Sequence, residues 1–395
     1  MEESNVKRTI FFCERDGLRI RGMQYLPENF REGERYPAII VSHGFTGNYT
    51  DEAEYCRIFS GWGYAAFCFS FCGGSHAMTP EELKSDGETT QATILTEVAD
   101  LTAVIRHVKT LPYVDESRVT LLGCSQGGMV SGLAAAKCKD AIKSLVMVYP
   151  ALCIPDHARA GCLGGASYDP EHVPEVIDCG SILLGRQFHD TVTGMDVYKE
   201  LRPYRGPVLI LHGTEDSVVN YSYSVRAKEN YAPGQCHLHL IRNMGHGVND
   251  GQRESVAACV RQFLLGREEL LTIRVFITHT ESRKLKDCRE NRIFFTGYCD
   301  TALFHGTVLP GGCDTQRYYP DGTKSICADY TLEGLDAEGK RCRVHIVNRE
   351  VNGQWKPTID TDSEALSRLN RADATAVLEY AKEGPVVRIF FQNNL

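Results

Sequence analysis

A short apolar run that ends at a serine between glycines constrains the fold of this chain more than any other stretch. Val119 to Leu122 combines β-branched residues with leucine, which is typical of a buried parallel strand. Gly123-Cys124-Ser125-Gln126-Gly127 follows in the pattern Gly-x-Ser-x-Gly, and residues 127–137 have helical character. A strand that turns at once into a helix leaves no room for side chains beside the serine, so glycines are required there. The stretch predicts a sharp strand-to-helix turn that exposes the hydroxyl of Ser125.

The start of this helix and a second glycine-bearing loop predict an oxyanion hole. The backbone N–H of Gln126 lies at the helix N-terminus, where it can stabilise a developing negative charge. The apolar run from Pro37 to Ser42 leads into His43-Gly44-Phe45-Thr46-Gly47, where Phe45 would offer a second N–H. An ordinary turn at a strand end is the alternative interpretation of this loop. The Gly-x-Ser-x-Gly stretch favours the oxyanion hole.

Two later loops supply an acid and a base. The apolar run that ends at Leu211 is followed by His212-Gly213-Thr214-Glu215-Asp216, and the run that ends at Ile241 is followed by a loop with His246 between two glycines. Serine is a poor nucleophile until a neutral imidazole takes its proton, and the resulting imidazolium needs an anion behind it. We expect Ser125, Asp216 and His246 to form a catalytic triad in that chain order. Glu215 is the competing acid and is expected to be solvated.

Strand-like and helical runs alternate through the first two thirds of the chain. Residues 89–110 carry apolar side chains at helical spacing, which predicts an amphipathic helix packed on a sheet. Val6 to Cys13 and Leu18 to Leu26 are β-rich and flank Arg15-Asp16-Gly17, a hairpin pattern. The alternation indicates an α/β fold with a parallel sheet covered on both faces.

Length and charge limit the partners. A chain of 395 residues is long enough for two domains, and its net charge of −8 gives no basic field for nucleic acid. No run approaches the length of a membrane span, and the first twelve residues lack the apolar core of a signal peptide, so we expect a cytoplasmic protein without a membrane partner. The sixteen cysteines show no metal-site spacing and are expected to be reduced. We expect no metal and no cofactor.

Residues 1–266 resemble the α/β-hydrolases and, more narrowly, the bacterial cinnamoyl (feruloyl) esterases. Those enzymes carry His-Gly-Phe, Gly-His-Ser-Gln-Gly-Gly, Gly-Thr-Asp-Asp-x-Val-Val and a histidine after Gly-x or Ala-x. The matching stretches of this chain are His43 to Phe45, Gly123 to Gly128, Gly213 to Val219 and Gly245-His246. The resemblance implies an α/β-hydrolase fold with the same triad, and Phe45 and Gln126 as oxyanion donors. Cys124 departs from the family's histidine before the nucleophile.

Residues 151–206 interrupt the sheet between two strands and predict a cap over the site. Asp169 to Pro174 and Leu183 to Gly185 resemble the inserted lid of the same esterases. Those enzymes tend to have a lid tyrosine and an acidic residue that bind the phenol hydroxyl of the substrate. At the corresponding positions the resemblance places Phe188 and the pair Asp156-His157 of this chain. Apolar cap residues, among them Leu163 and Tyr168, favour an aromatic acyl group over acetate.

Residues 267–395 change character and predict a smaller antiparallel β-barrel domain. Short strands between 271 and 392 are divided by turns such as Pro310-Gly311-Gly312 and Pro320-Asp321-Gly322. This segment resembles a family of bacterial barrel domains of unknown function, and Arg267-Glu268-Glu269 is the predicted junction. Exposed strand edges on such a barrel favour a homo-oligomer.

Two classes of function follow. The first is a serine carboxylester hydrolase of the cinnamoyl or feruloyl type, which cleaves small aromatic acyl esters through an acyl-enzyme. A thioesterase or a peptidase is the enzymatic alternative, because a triad does not report the leaving group. The competing class is a hydrolase-like binding protein that uses the C-terminal barrel.

Overall fold

The computed structural model describes residues 7–265, 267–301, 303–351, 354–381 and 384–392. The chain divides into two compact units, residues 1–260 and residues 261–395. Residue 266, where the sequence predicts the boundary, and Val6, where it predicts the first strand to begin, lie outside the described residues.

The first unit is built on a mixed sheet. Its eight described strands are β1 (Arg8–Arg15), β2 (Leu18–Tyr25), β3 (Tyr36–Ser42), β4 (Ala65–Phe69), β5 (Val114–Cys124), β6 (Ser144–Val148), β11 (Val208–Gly213) and β12 (Cys236–Ile241). They lie in the order β1-β2-β4-β3-β5-β6-β11-β12. β1 and β2 are antiparallel to their neighbours, and the strands from β4 to β12 pair in parallel. β4, β6 and β11 are buried along their whole length, as expected for strands covered on both faces.

Helices cover this sheet. They are α1 (Ala53–Gly61), α2 (Ile94–Thr110), α3 (Gln126–Lys137) and α7 (Ser222–Asn230), and a further helix, α8 (Asp250–Leu264), follows the last strand of the sheet. The sequence predicts that this helix begins at residue 89, but α2 begins at Ile94. The helix starts there because the hydroxyl of Thr93 accepts from the Thr96 N–H and caps it. Thr89–Gln91 forms a separate 3₁₀ turn.

The predicted hairpin at the start of the chain is confirmed. β1 and β2 pair antiparallel from Arg8↔Tyr25 to Arg15↔Leu18. Asp16 and Gly17 connect them with φ values of 51° and 82°. Two consecutive residues with positive φ match the two-residue hairpin turn whose twist suits the strands on either side.

The segment between β6 and β11 forms the inserted cap region. Its strands are β7 (Cys162–Leu163), β8 (Ala166–Ser167), β9 (Val176–Asp178) and β10 (Leu183–Gly185), and its helices are α4 (Ile154–Arg159), α5 (Arg186–Thr193) and α6 (Val197–Leu201). β7 pairs with β8 and β9 pairs with β10, so the insertion is two small hairpins among three helices. Its apolar side chains, including Leu163 and Phe188, join the main core of the unit.

The second unit is an antiparallel barrel. Its described strands are β13 (Arg267–Lys284), β14 (Arg289–Asp300), β15 (Phe304–Val308), β16 (Cys313–Tyr318), β17 (Lys324–Asp336), β18 (Arg341–Val351), β19 (Gln354–Thr361), β20 (Ala374–Ala381) and β21 (Gly384–Gln392). The pairing of β13 with both β14 and β21 closes the ring, and β16 joins it between β14 and β17. Leu332, Val344 and Ile389 are fully buried in its core.

Two expectations about this unit change. Arg267–Glu269, the predicted junction, already belongs to β13 and pairs with the end of β21. The described strands also close into a ring, so the expected free strand edges are not found among them, and the homo-oligomer stays a prediction.

Among the described helices, none combines the length and the hydropathy that a membrane-spanning segment requires. All sixteen cysteines are free thiols, and most are buried.

Candidate active site

Ser125 lies at a strained turn between β5 and α3. Its φ and ψ are 52° and −119°, a conformation that costs energy for any residue with a side chain. A Cβ on Gly123 would overlap the carbonyl oxygen of Gly127, and a Cβ on Gly127 would overlap that of His43. Both positions of the motif therefore need glycine, as the sequence predicts.

The structure brings the three predicted triad residues together. Ser125 Oγ lies 3.0 Å from His246 Nε2, and His246 Nδ1 lies 2.9 Å from Asp216 Oδ2. These distances suit a neutral imidazole that accepts the serine proton at Nε2 and donates its own proton from Nδ1 to the carboxylate.

Asp216 is held rigidly from two sides. Its side chain is fully buried, and Oδ1 accepts from the backbone N–H groups of Val218 at 2.9 Å and Val219 at 2.8 Å. Oδ2 faces His246 and lies 3.2 Å from His212 Nε2. Glu215, the competing acid, is exposed.

His212 is buried and supports the acid of the triad. Burial lowers the pKa of His212, so its ring is neutral. Nδ1 accepts from the Ser224 hydroxyl at 2.7 Å, and Nε2 donates to the Val219 carbonyl oxygen at 2.9 Å while facing Asp216. The sequence signal for this role was its position in the strand that leads to Asp216.

The loop that carries His246 is tied to the loop that carries Asp216. The Glu215 N–H donates to the Met244 carbonyl at 3.0 Å, and the Asn243 N–H donates to Thr214 Oγ1 at 3.2 Å. On its other side the His246 ring packs on Tyr149, with the ring centres 4.9 Å apart. Tyr149 follows β6 with a positive φ of 37°, and no sequence motif marked it.

The predicted oxyanion loop lies beside the nucleophile. A Cβ on Gly44 would lie 3.3 Å from Ser125 Cβ, so the backbone before Phe45 passes close to the serine. Gln126 is the first residue of α3, and the first N–H groups of a helix have no partner within it. His43 is buried and structural: burial lowers its pKa, and Nδ1 donates to the Gly44 carbonyl at 2.7 Å.

The family model of the acetyl xylan esterases matches residues 4–247, which is more than half of the chain. The chain belongs to this family. It is an ester-hydrolysing enzyme, a carboxylester hydrolase that acts on a small-molecule ester.

Solved structures agree with this assignment. Est1E from Butyrivibrio proteoclasticus with ferulic acid bound is 30% identical with a TM-score of 0.58, and the match covers 65% of this chain and 98% of Est1E. A second structure of Est1E is 28% identical with a TM-score of 0.56 and covers 65% and 97%. DcsB in complex with its substrate analogue, at 20% identity and a TM-score of 0.50, covers 65% and 98% and shares the fold. No curated protein matches the esterase.

Cys124 of the esterase is next to the nucleophile, but its surroundings make its thiol unreactive. Its thiol is buried and lies 3.6 Å from Glu52 Oε2, to which it donates. Burial raises the pKa of the Cys124 thiol and raises that of Glu52 to about 7. A thiolate, the reactive form, is therefore disfavoured at this position.

The predicted substrate-binding residues have different surroundings. Leu163 and Phe188 are almost fully buried, and the Tyr168 hydroxyl bonds to His189 Nδ1 at 2.8 Å. The Asp156 carboxylate is half-exposed and accepts from Arg159 at 2.8 Å and from the Tyr223 hydroxyl at 3.2 Å. His157 is exposed.

One cap hairpin contacts the oxyanion loop. A Cβ on Gly164, at the β7–β8 turn, would lie 2.7 Å from the Phe45 ring and 2.9 Å from Cys179 Sγ. Leu163 precedes this glycine, so this end of the cap lies next to the residue predicted to donate to the oxyanion. Among the described residues, no cluster of His, Cys, Asp and Glu could hold a metal ion.

Proposed function

We propose that the esterase is a serine carboxylester hydrolase that cleaves small aromatic acyl esters through an acyl-enzyme. Ser125 is the nucleophile, His246 the base and Asp216 the acid that orients it. The observation that carries this proposal is the distance of 3.0 Å between Ser125 Oγ and His246 Nε2, with Asp216 behind the ring at 2.9 Å.

Each step uses a group of this chain. Ser125 Oγ attacks the ester carbonyl carbon while His246 Nε2 takes the hydroxyl proton. The carbonyl oxygen becomes an oxyanion and accepts from the N–H groups of Phe45 and Gln126. Collapse of the intermediate breaks the bond to the alcohol, which leaves with the proton from His246. Water, deprotonated by His246, then attacks the acyl carbon. The bond to Ser125 Oγ breaks, His246 returns the proton to Oγ, and the acid is released.

An aromatic acyl group is favoured by two observations. The similar enzyme Est1E binds ferulic acid. The β7–β8 hairpin contacts the ring of Phe45, so an acyl chain attached to Ser125 would extend toward an apolar part of the cap. We assign Leu163, Tyr168 and Phe188 to the acyl pocket, and Asp156 and His157 to its polar side.

An acetyl group is the second candidate. The family model that matches the esterase is named for acetyl xylan esterases. A cap that fits a flat aromatic acid would accept acetate with weaker transition-state binding, because the small acyl group leaves apolar surface unfilled.

The test compares 4-nitrophenyl acetate with 4-nitrophenyl cinnamate. We expect a burst of nitrophenol equal to the enzyme concentration and a kcat/KM higher for cinnamate, and Ser125→Ala should abolish both signals. Ser131→Ala, which removes another serine of α3, is the matched control. A higher kcat/KM for acetate would select the second candidate, and a folded wild-type protein without any turnover would favour the binding-protein alternative.

A further inference from the structure

Two buried carboxyl groups of α2 have no part in the triad chemistry. Glu97 and Asp100 are one turn apart, and their exposed fractions are 3% and 0%. Both lie on the face that otherwise carries apolar residues such as Leu101 and Val104. Buried ionisable groups are costly unless they have partners, so the contacts of these two residues indicate what they do.

Glu97 holds the side chain of the residue after the nucleophile. The Gln126 amide Nε2 lies 2.8 Å from Glu97 Oε1 and 2.9 Å from Oε2, and Gln126 itself is only 5% exposed. Gln126 is the first residue of α3. A side chain fixed at this position restricts the backbone of the first helical turn, and with it the direction of the Gln126 N–H.

Asp100 holds the loop that supports the other donor. Its Oδ2 accepts from the Cys72 N–H at 2.9 Å, and its Oδ1 accepts from Arg15 Nε at 2.7 Å. The residue before Cys72, Phe71, donates its N–H to His43 Nε2 at 3.1 Å.

The same supporting loop also contacts the far side of the oxyanion loop. The His76 N–H donates to the Thr46 carbonyl oxygen at 2.8 Å, and Thr46 and Ser75 form a parallel bridge. Phe45 therefore lies between two contacts with the loop of residues 71–76, one at His43 and one at Thr46.

We propose that Glu97 and Asp100 are positioning residues that fix the two N–H donors of the oxyanion hole from the same helix. Glu97 acts through the side chain of Gln126, and Asp100 acts through residues 71–76 on the loop of Phe45. The inference rests on the proposed function, in which these N–H groups bind the oxyanion.

The charge state of the pair suits this role. Burial raises the pKa of Glu97 to about 8, and the neighbouring Asp100 acts in the same direction. Burial also raises the pKa of Asp100, while Arg15 opposes this shift and neutralises the carboxylate when it is ionised. Near pH 7 the network thus adds little negative charge behind the hole, where an anion would oppose the oxyanion.

A double-mutant cycle on Glu97 and Gln126 tests the inference with the full-length enzyme. Glu97→Ala and Gln126→Ala should each lower kcat on a 4-nitrophenyl ester by about tenfold to a hundredfold, less than the loss of a whole oxyanion donor. KM should change little. The double variant should lose no more than either single variant, because both changes break the same contact.

Two further readouts separate positioning from general damage. The affinity for an aryl boronic acid, which forms a tetrahedral adduct on the serine, should fall with kcat, whereas the affinity for the product acid should not. Glu97→Gln keeps a neutral side chain that accepts from Gln126 and should restore most of the activity. Asp100→Ala should reduce kcat and boronate affinity in the same way. Val104→Ala, which removes buried apolar atoms from the same helix, should leave kcat unchanged.

The outcomes distinguish the inference from the function on which it rests. If wild type shows the nitrophenol burst and Ser125→Ala does not, while Glu97→Ala keeps more than half of kcat, the inference is overturned and the function stands. Additive losses in the double variant also overturn it. If Glu97→Ala does not fold, Gln126→Leu removes the same contact from α3, and normal kcat in that variant is equally decisive. Absence of any nitrophenol release by the folded wild type overturns the proposed function itself.

Discussion

Replacing Glu97 by glutamine should change how the stability of the esterase depends on pH. Burial raises the pKa of this carboxyl from 4.5 to about 8 in the folded chain. The unfolded chain therefore loses its proton first as the pH rises, and the folded state binds more protons throughout this window. The contribution of Glu97 to stability is fully present below pH 4.5 and is lost as the pH rises toward 8.

The size of the effect follows from the two pKa values. A difference between 4.5 and about 8, at about 1.36 kcal/mol per pKa unit, corresponds to about 5 kcal/mol. Most of it, roughly 3 to 4 kcal/mol, falls between pH 5 and pH 8. The amide of the Glu97→Gln variant does not titrate. From pH 5 to pH 8, the free energy of unfolding of the wild type should therefore fall by that second amount relative to the variant.

Urea unfolding at pH 5, 6, 7 and 8 measures the difference directly. The chain has two tryptophans, and replacing Trp355 of the barrel by phenylalanine leaves Trp62 to report on the first unit. Glu52→Gln is the matched comparison: burial raises the pKa of Glu52 to about 7, so its smaller effect should end about one pH unit earlier. A difference between wild type and Glu97→Gln that stays constant within about 1 kcal/mol from pH 5 to pH 8 would refute the idea that Glu97 is buried as a neutral acid.

Four further predictions concern activity. Ser125→Ala should lower kcat by as much as ~10⁶ with the fold intact, and residual activity near a tenth of wild type would contradict the nucleophile assignment. Asp216→Asn should lower kcat by ~10⁴. The amide oxygen of the variant still accepts from the Val218 and Val219 N–H groups, so its NH₂ group faces His246 and favours the wrong tautomer of that imidazole. A near-normal kcat would count against the role of Asp216. Phe188→Tyr should shift the ratio of kcat/KM for methyl coumarate and methyl cinnamate toward coumarate, and an unchanged ratio would remove Phe188 from the pocket. A chain that ends at residue 265 should keep its turnover of 4-nitrophenyl esters, and complete loss in a folded fragment would give the barrel a part in catalysis.

The features predicted well from the sequence depend on local chemistry. The turn at Ser125 requires glycines at fixed positions, and the hairpin turn at Asp16-Gly17 requires positive φ, so a few adjacent residues determine both structures. The relative positions of Ser125, Asp216 and His246 follow because loops at the same ends of parallel strands meet at one edge of the sheet.

Two strands of the barrel, β16 and β19, lack a clear local signal in the sequence. Cys313–Tyr318 has a single buried side chain, and Gln354–Thr361 contains Pro357, a residue that is rare within strands. Their strand conformation depends on pairing with distant partners. The role of Glu97 could not be predicted for the same reason. The sequence pattern places Glu97 on an apolar helix face, but its partner Gln126 lies 29 residues away in the sequence. The surroundings of Asp156 and Tyr168 likewise depend on the fold of the cap.

The first and last strands of the barrel are neighbours, with Arg267 opposite Gln392. Residues 267 and 392 of the barrel thus lie side by side, and chain positions that lie close together in this way tolerate being joined. Circular permutation is then geometrically simple: a short linker between these strands and new termini at an exposed turn, such as the one after Tyr319, should yield a barrel with the same strand pairing.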